Sequence, residues 1–340
     1  ISDLLNEKED LDKYFSEEDL KKSNRLKISF DDVKYKFLIT YDINEEVKKD
    51  ILNYNFPYSI SVLELSKNFT ELKFTCDRLK LSKKFLFTDK KLIFPSTYYS
   101  DKWKIIKSDY FSFYISDPDM FNENCSEYLD RYVENLMNFM KFSEEEKKHL
   151  KKEKILYLFC KDENEIEKIC GYNTKGMYLL DEDAVITTYS YHTHEIAHLL
   201  MNYKLKQLPL YTLPFFQEGF AVAVGGRGGL SSNVLMDVGY YTLKSNFVES
   251  ESLFSKKGFQ SEDPSIAYSV SGLINKIFMD KNGFDEYQRL YLKMSGNSEF
   301  IYSISIDNVY RELNLCMDEL FSVYAERIKY ESGIQFIIRI

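Results

Sequence analysis

The run His194-Glu195-Ile196-Ala197-His198 constrains this chain more than any other stretch. It sits in an apolar segment that continues through Leu199, Leu200 and Met201, and such a segment reads as a helix. Two histidines four residues apart on a helix lie about 40° from each other, one turn apart on the same face. Imidazoles so placed can share one Zn2+, with the intervening Glu195 set to act as a general base. Catalytic zinc takes a third protein ligand, so the fold has to deliver one from another element. The candidate is Glu218, the lone acid of the apolar segment Thr212–Val224. Pro214 suits the first position of a second helix capped by Thr212 or Leu213, which puts Glu218 one turn in. A carboxylate among apolar neighbours is costly to bury unless something satisfies it. A metal would do so, and Arg227 or a tyrosine is the alternative partner.

The remaining residues near this run carry weaker signals. His192 precedes His194 by two and points about 200° away on a helix, toward the helix start or a cleft wall rather than the metal. His149, in a charged run, reads as solvated. Gly225–Gly229 is no phosphate loop, because no Gly-Lys-Ser/Thr follows it and no strand precedes it. It reads as a loop near the cleft, with Arg227 a candidate contact for a substrate carboxylate. Cys76, Cys125, Cys160, Cys170 and Cys316 form no CxxC pair, which excludes a zinc ribbon or a disulfide scaffold; only Cys160 and Cys170 are close enough in sequence to meet across a turn.

Composition bounds the rest. Forty-five basic against 54 acidic side chains leave a net charge of −9 with no long basic stripe, which argues against nucleic acid as a partner. At 44% hydrophobic and 16% aromatic, 340 residues can build a sizeable core. No uncharged apolar run reaches the roughly 18 residues of a membrane span. Oligomeric state is not legible. Residues 1–24 read as a polar lead-in. Residues 25–107 read as a β-rich accessory domain, with strands expected at 27–30, 35–40, 59–63 and 72–75. Residues 108–232 alternate strand and helix: strands at 111–115, 155–159, 177–180 and 184–188, with helices opening near Ser126 and Glu163. Residues 233–340 are helical, including a helix opened by Asp263-Pro264 and ending near Gly283, and another at 315–328. The class is α+β.

His194-Glu195-x-x-His198, nineteen residues, then Glu218-Gly219-Phe220-Ala221 resembles the gluzincin zinc metallopeptidases, of the thermolysin and aminopeptidase N type. The Glu-Gly-Phe-Ala context looks most like the aminopeptidase N side and the smaller bacterial peptidase MA-like proteins. The resemblance spans roughly 110 to 330 and implies a zincin-like catalytic domain at 108–232, with a helical subdomain behind it. It also implies one Zn2+ per chain on His194, His198 and Glu218, and hydrolysis of a peptide or protein substrate with Glu195 as base. Related enzymes use a Tyr or His after the Glu ligand to stabilise the transition state. No His follows His198, and Ala267-Tyr268 matches the family's Ala-Tyr pattern, so Tyr268 is the implied donor, with Tyr240 and Tyr241 as runners-up. The strand at Ala184 and Ile186 is expected to pair with an extended substrate by β-addition. The Gly-x-Met-Glu-Asn strand of the aminopeptidases is absent from 176–188, and no Asp follows Glu218 at thermolysin's spacing, so endo- versus aminopeptidase action stays open. The rival reading is a non-catalytic zincin-fold binding or envelope-assembly module. A chain beginning at Ile1 with a Lys-rich, acidic composition suggests export to a bacterial periplasm or cell surface, the cytoplasm being the alternative.

Overall fold

A computed structural model describes residues 11–30, 57–79, 81–208, 211–296 and 298–313. The expected strand at 35–40 and helix at 315–328 lie outside the described residues. The architecture is mixed α+β. Packing divides the chain into two compact units, one of residues 1–130, 144–191 and 205–207, the other of 131–143, 192–204 and 208–340.

The first unit carries the two larger sheets. Strands β1 (Ser59–Glu64), β2 (Thr70–Cys76), β3 (Leu81–Thr88) and β4 (Lys91–Ile93) form an antiparallel meander in sequence order. Its buried face holds Phe74, Cys76, Phe85 and Leu92 against Phe15 and Phe94. The second sheet contains β5 (Lys104–Lys107), β6 (Phe111–Ile115), β7 (Ile155–Phe159), β8 (Gly176–Leu179) and β9 (Ala184–Thr187), in the order β5-β6-β7-β9-β8. The central pairs β6-β7 and β7-β9 are parallel, and the outer pairs are antiparallel. All five residues of β7 are buried, as a strand covered on both faces requires. Helix Glu163–Cys170 packs Ile166 and Ile169 onto Leu156, Leu158 and Ile186, capped by Asp162 at its start and by left-handed Gly171 at its end.

The expected boundary at residue 107 is not where packing divides the chain. Helix Glu17–Asn24, capped by Ser16, and the residue after it are tied to the second sheet's loops. Ser23 Oγ donates to the Asp181 carbonyl at 2.6 Å, and Lys22 pairs with Glu182 at 2.5 Å. The Arg25 guanidinium donates to the carbonyls of Lys154, Glu182 and Asp183. His149 is also drawn in rather than solvated, with its Nε2 3.1 Å from the Arg25 carbonyl.

The expectation of β-addition at Ala184 and Ile186 is corrected by register. Ala184 faces Leu156 on one side and Leu179 on the other, and Ile186 faces Leu158 and Met177. Both residues are fully buried, and both backbone edges of β9 are already paired. The strand at this margin of the sheet is β8, so an incoming peptide has no edge on β9 to join.

The second unit is helical. Its main elements are Thr193–Leu205, Pro214–Gly225, Ser232–Lys244, Pro264–Asn282 and Phe284–Lys293. Pro214 and Pro264 each open a helix at the first position, with Leu213 and Asp263 at the caps. The Pro214 and Pro264 helices cross closely at Gly219, where a Cβ would stand 2.2 Å from Asn275 Nδ2. That proximity lets Asn275 Nδ2 donate to the Phe215 carbonyl at 2.9 Å. The Tyr287 hydroxyl lies 2.7 Å from Asn275 Oδ1 and 3.1 Å from the Phe216 carbonyl, so one buried polar knot fixes the start of the Pro214 helix. Among the described residues no helix is long and apolar enough to cross a membrane.

Candidate metal centre

The Thr193 and Pro214 helices bring together three side chains named from the sequence: His194, His198 and Glu218. His194 Nε2 lies 3.2 Å from His198 Nε2 and 3.2 Å from Glu218 Oε2, and His198 Nε2 lies 3.4 Å from the same oxygen. One ligand atom from each of the three therefore converges on a common point. Burial alone would raise the Glu218 pKa, but the imidazoles of His198 and His194 beside it hold the carboxyl far below the ordinary range. Burial likewise opposes charge on His198, yet the Glu218 carboxylate outweighs it and leaves that pKa raised.

Two of the three side chains, His194 and Glu218, are oriented from behind. His194 Nδ1 lies 2.8 Å from the Gly226 carbonyl. A carbonyl only accepts, so Nδ1 carries the proton and the Nε2 lone pair faces the cluster. Gly226 caps the Pro214 helix at φ 72°, ψ −161°, a conformation open to glycine, and a Cβ there would meet the Leu230 carbonyl at 2.2 Å. Thr193 Oγ1 donates to the Gly225 carbonyl, and the Tyr132 hydroxyl donates to the Thr193 carbonyl at 3.1 Å. Glu218 takes its position from the Asn275–Tyr287 knot one turn earlier in its helix. The Gly226 carbonyl and this knot were not among the residues named from sequence. The glycine run at 225–229 read as a loop near the cleft, and nothing local announced that the Gly226 carbonyl would meet His194.

Glu195 is half-buried on the same helix, with its Oε1 3.9 Å from His192 Nε2. Burial pulls the His192 pKa down to about 4 against the attraction of Glu195, so this imidazole is neutral near pH 7. His192 is not among the grouped ligand atoms; its ring lies over that of His194 at 6.4 Å. Tyr268, in the second turn of the Pro264 helix, has its ring 6.3 Å from that of His194 and 5.5 Å from that of Phe259. The Arg227 guanidinium lies over the Tyr268 ring, 3.9 Å from its centroid. Burial, then the charge of Glu218, pushes the Tyr268 phenol well above its ordinary pKa, with Arg227 opposing. Of the runners-up, Tyr240 is buried beside Tyr241 and Lys244, and Tyr241 is exposed. Cys76, Cys125, Cys160 and Cys170 are free thiols, so Cys160 and Cys170 are not bridged.

No family model, curated protein or solved structure matches this chain. The site's own geometry is therefore what bears on function.

Proposed function

We propose that this chain is a zinc-dependent peptidase of the gluzincin kind, with His194, His198 and Glu218 as the metal ligands and Glu195 as general base. The observation that carries the reading is the triangle of ligand atoms, with sides of 3.2, 3.2 and 3.4 Å. Ligands 2.0–2.1 Å from a tetrahedral zinc stand about 3.3 Å apart, so the triangle has the size of one face of that tetrahedron. Two imidazoles and one carboxylate make a donor set for catalytic zinc, and the fourth position is left to water or substrate. The residues present fit the metal.

Zinc bound there supplies a Lewis acid that polarises a carbonyl and makes water acidic near neutral pH. The chain's own residues do the rest. Glu195 accepts a proton from the attacking water and delivers it to the leaving nitrogen. Tyr268, kept protonated by burial and by its acidic neighbours, donates toward the negative charge that builds on the carbonyl oxygen. The Gly226 carbonyl holds the His194 tautomer through the cycle.

Metal analysis of the purified chain, followed by mass spectrometry of a mixed peptide library with and without a chelator, tests the reading. One zinc per chain and chelator-sensitive cleavage are expected. Stoichiometric zinc with no cleavage would favour the non-catalytic binding module instead, and absence of metal after zinc supplementation would overturn the centre itself.

A further inference from the structure

Arg227 stands beside the candidate centre on a rigid support. Its backbone N–H donates to the Leu230 carbonyl at 3.1 Å, and the Leu230 N–H returns the bond at 3.0 Å. Between them Gly228 and Gly229 take φ 60° and 82°, the positive-φ pair of a tight reverse turn. The carbonyl of the preceding residue, Gly226, is the one that receives the His194 proton. The turn that carries Arg227 is thus tied to a ligand histidine.

The guanidinium lies over the Tyr268 ring, 3.9 Å from its centroid, and is half-buried, yet no carboxylate oxygen among the described residues lies within ion-pair distance of it. One guanidinium N–H is shared with the Tyr268 hydroxyl, and the remaining N–H groups of the fork can take a planar anion. Desolvating a cation without an anion is unfavourable, so the arrangement is completed by a ligand that brings one. The stack places the guanidinium no more than about 10 Å from the His194 ring. An extended peptide advances about 3.3–3.6 Å per residue, so the fork reaches a group within about three residues of a bond held at the centre.

We propose that Arg227 is a specificity determinant that binds a substrate carboxylate, either the free C-terminus or an Asp or Glu side chain, within about three residues of the scissile bond. The inference rests on the peptidase reading for its cleavage arm only. On a chain of net charge −9, long-range electrostatics disfavours acidic peptides, so a preference for them reports a local cation.

The test uses two sets of N-terminally fluorescein-labelled octapeptides on the zinc-supplemented chain. In one a single Asp is walked along the peptide, each member matched by Asn. In the other a free C-terminus is matched by its carboxamide. Cleavage is read as kcat/KM, and binding is read by fluorescence anisotropy in Glu195→Gln, so that a chain that cuts nothing still reports on Arg227. The expected result is an acid-to-amide ratio of about tenfold or more at one position, falling to about one in Arg227→Gln and partly kept in Arg227→Lys. The set that shows the ratio identifies the source of the carboxylate. An absent preference in the parent, measured without any variant at position 227, overturns the proposal. So does a ratio that survives Arg227→Gln, or an equal fall on acid and amide peptides, which would leave Arg227 as a support for Tyr268 alone. No cleavage with the binding ratio intact would instead count against the peptidase reading and leave the carboxylate site standing.

Discussion

The proton on His194 Nδ1 is held by the carbonyl of Gly226, 32 residues away at the end of the next long helix, at 2.8 Å. The bond makes the Pro214 helix supply both a proposed ligand, Glu218, and the group that orients the proposed ligand His194 on the Thr193 helix. Gly226→Ala should therefore injure metal binding without touching a ligand. A Cβ there meets the Leu230 carbonyl at 2.2 Å and occupies a glycine-only backbone region, so the carbonyl must swing. We expect zinc affinity to fall by about 10- to 100-fold, the usual cost of losing such a partner. Competition with a chromogenic chelator measures it, and unchanged affinity would remove Gly226 from the centre.

Direct removal of ligands is the sharper test of metal stoichiometry. His194→Ala and His198→Ala should each abolish the single zinc, since two remaining donors do not hold it against buffer. Glu218→Gln should weaken it while keeping much of the shape, because an anionic donor becomes a neutral one. Inductively coupled plasma measurements after dialysis read all three. A parent chain that holds no zinc refutes the ligand set.

Much of this site was legible because helical spacing is local. His194 and His198 face one way by the helix period alone, and Pro214 set the phase that placed Glu218 one turn in. The helix opened by Asp263-Pro264 ends at Gly283 as its caps indicated. What failed was information that lives between strands. The sequence 184–187 is a good strand, but only the pairing shows it flanked by β7 and β9's other neighbour β8, with no edge free. Strand β3 went unread because Lys83-Lys84 interrupts it and adjacent Phe85 and Leu86 are both buried, which breaks the two-residue alternation. Docking of the first helix through Arg25 onto three carbonyls leaves no pattern in sequence at all.

That docked region has a pH signature. Burial, with the charge of Glu182 next, pushes the Asp181 carboxyl up to about 7. A folded-state pKa above the unfolded value means the native state holds the proton more tightly through this interval. The contribution of Asp181 to stability is thus complete below about pH 4 and is lost as pH rises toward 7. Asp181→Asn, which cannot ionise, should gain stability relative to the parent over that window and hold the gain above it. Urea denaturation from pH 4.5 to 8 reads the difference, and parallel profiles would show that Asp181 ionises as it does in the unfolded chain.

Glu195→Gln separates chemistry from metal binding. Glu195 is not one of the three grouped side chains, so its amide should leave zinc content at the one per chain expected of the parent. Hydrolysis should drop by about a hundredfold or more, the usual weight of a general base. Loss of zinc in this variant would make Glu195 a ligand or a structural residue, and undiminished turnover would take it out of the mechanism.

Tyr268→Phe tests the donor. The hydroxyl belongs to a ring 6.3 Å from His194, and the phenol's raised pKa keeps its proton in place across the neutral range. Removing one donor aimed at developing negative charge commonly lowers kcat by about tenfold to a thousandfold, with little change in ground-state binding. The Phe ring keeps the stack under Arg227 and the contact with Phe259, so fold and metal content should hold. The expected pattern is a fall in kcat with KM nearly constant. A variant that cleaves as fast as the parent would return Tyr268 to packing. A rise in KM confined to acidic peptides would show that the hydroxyl serves the Arg227 contact rather than the reacting carbonyl.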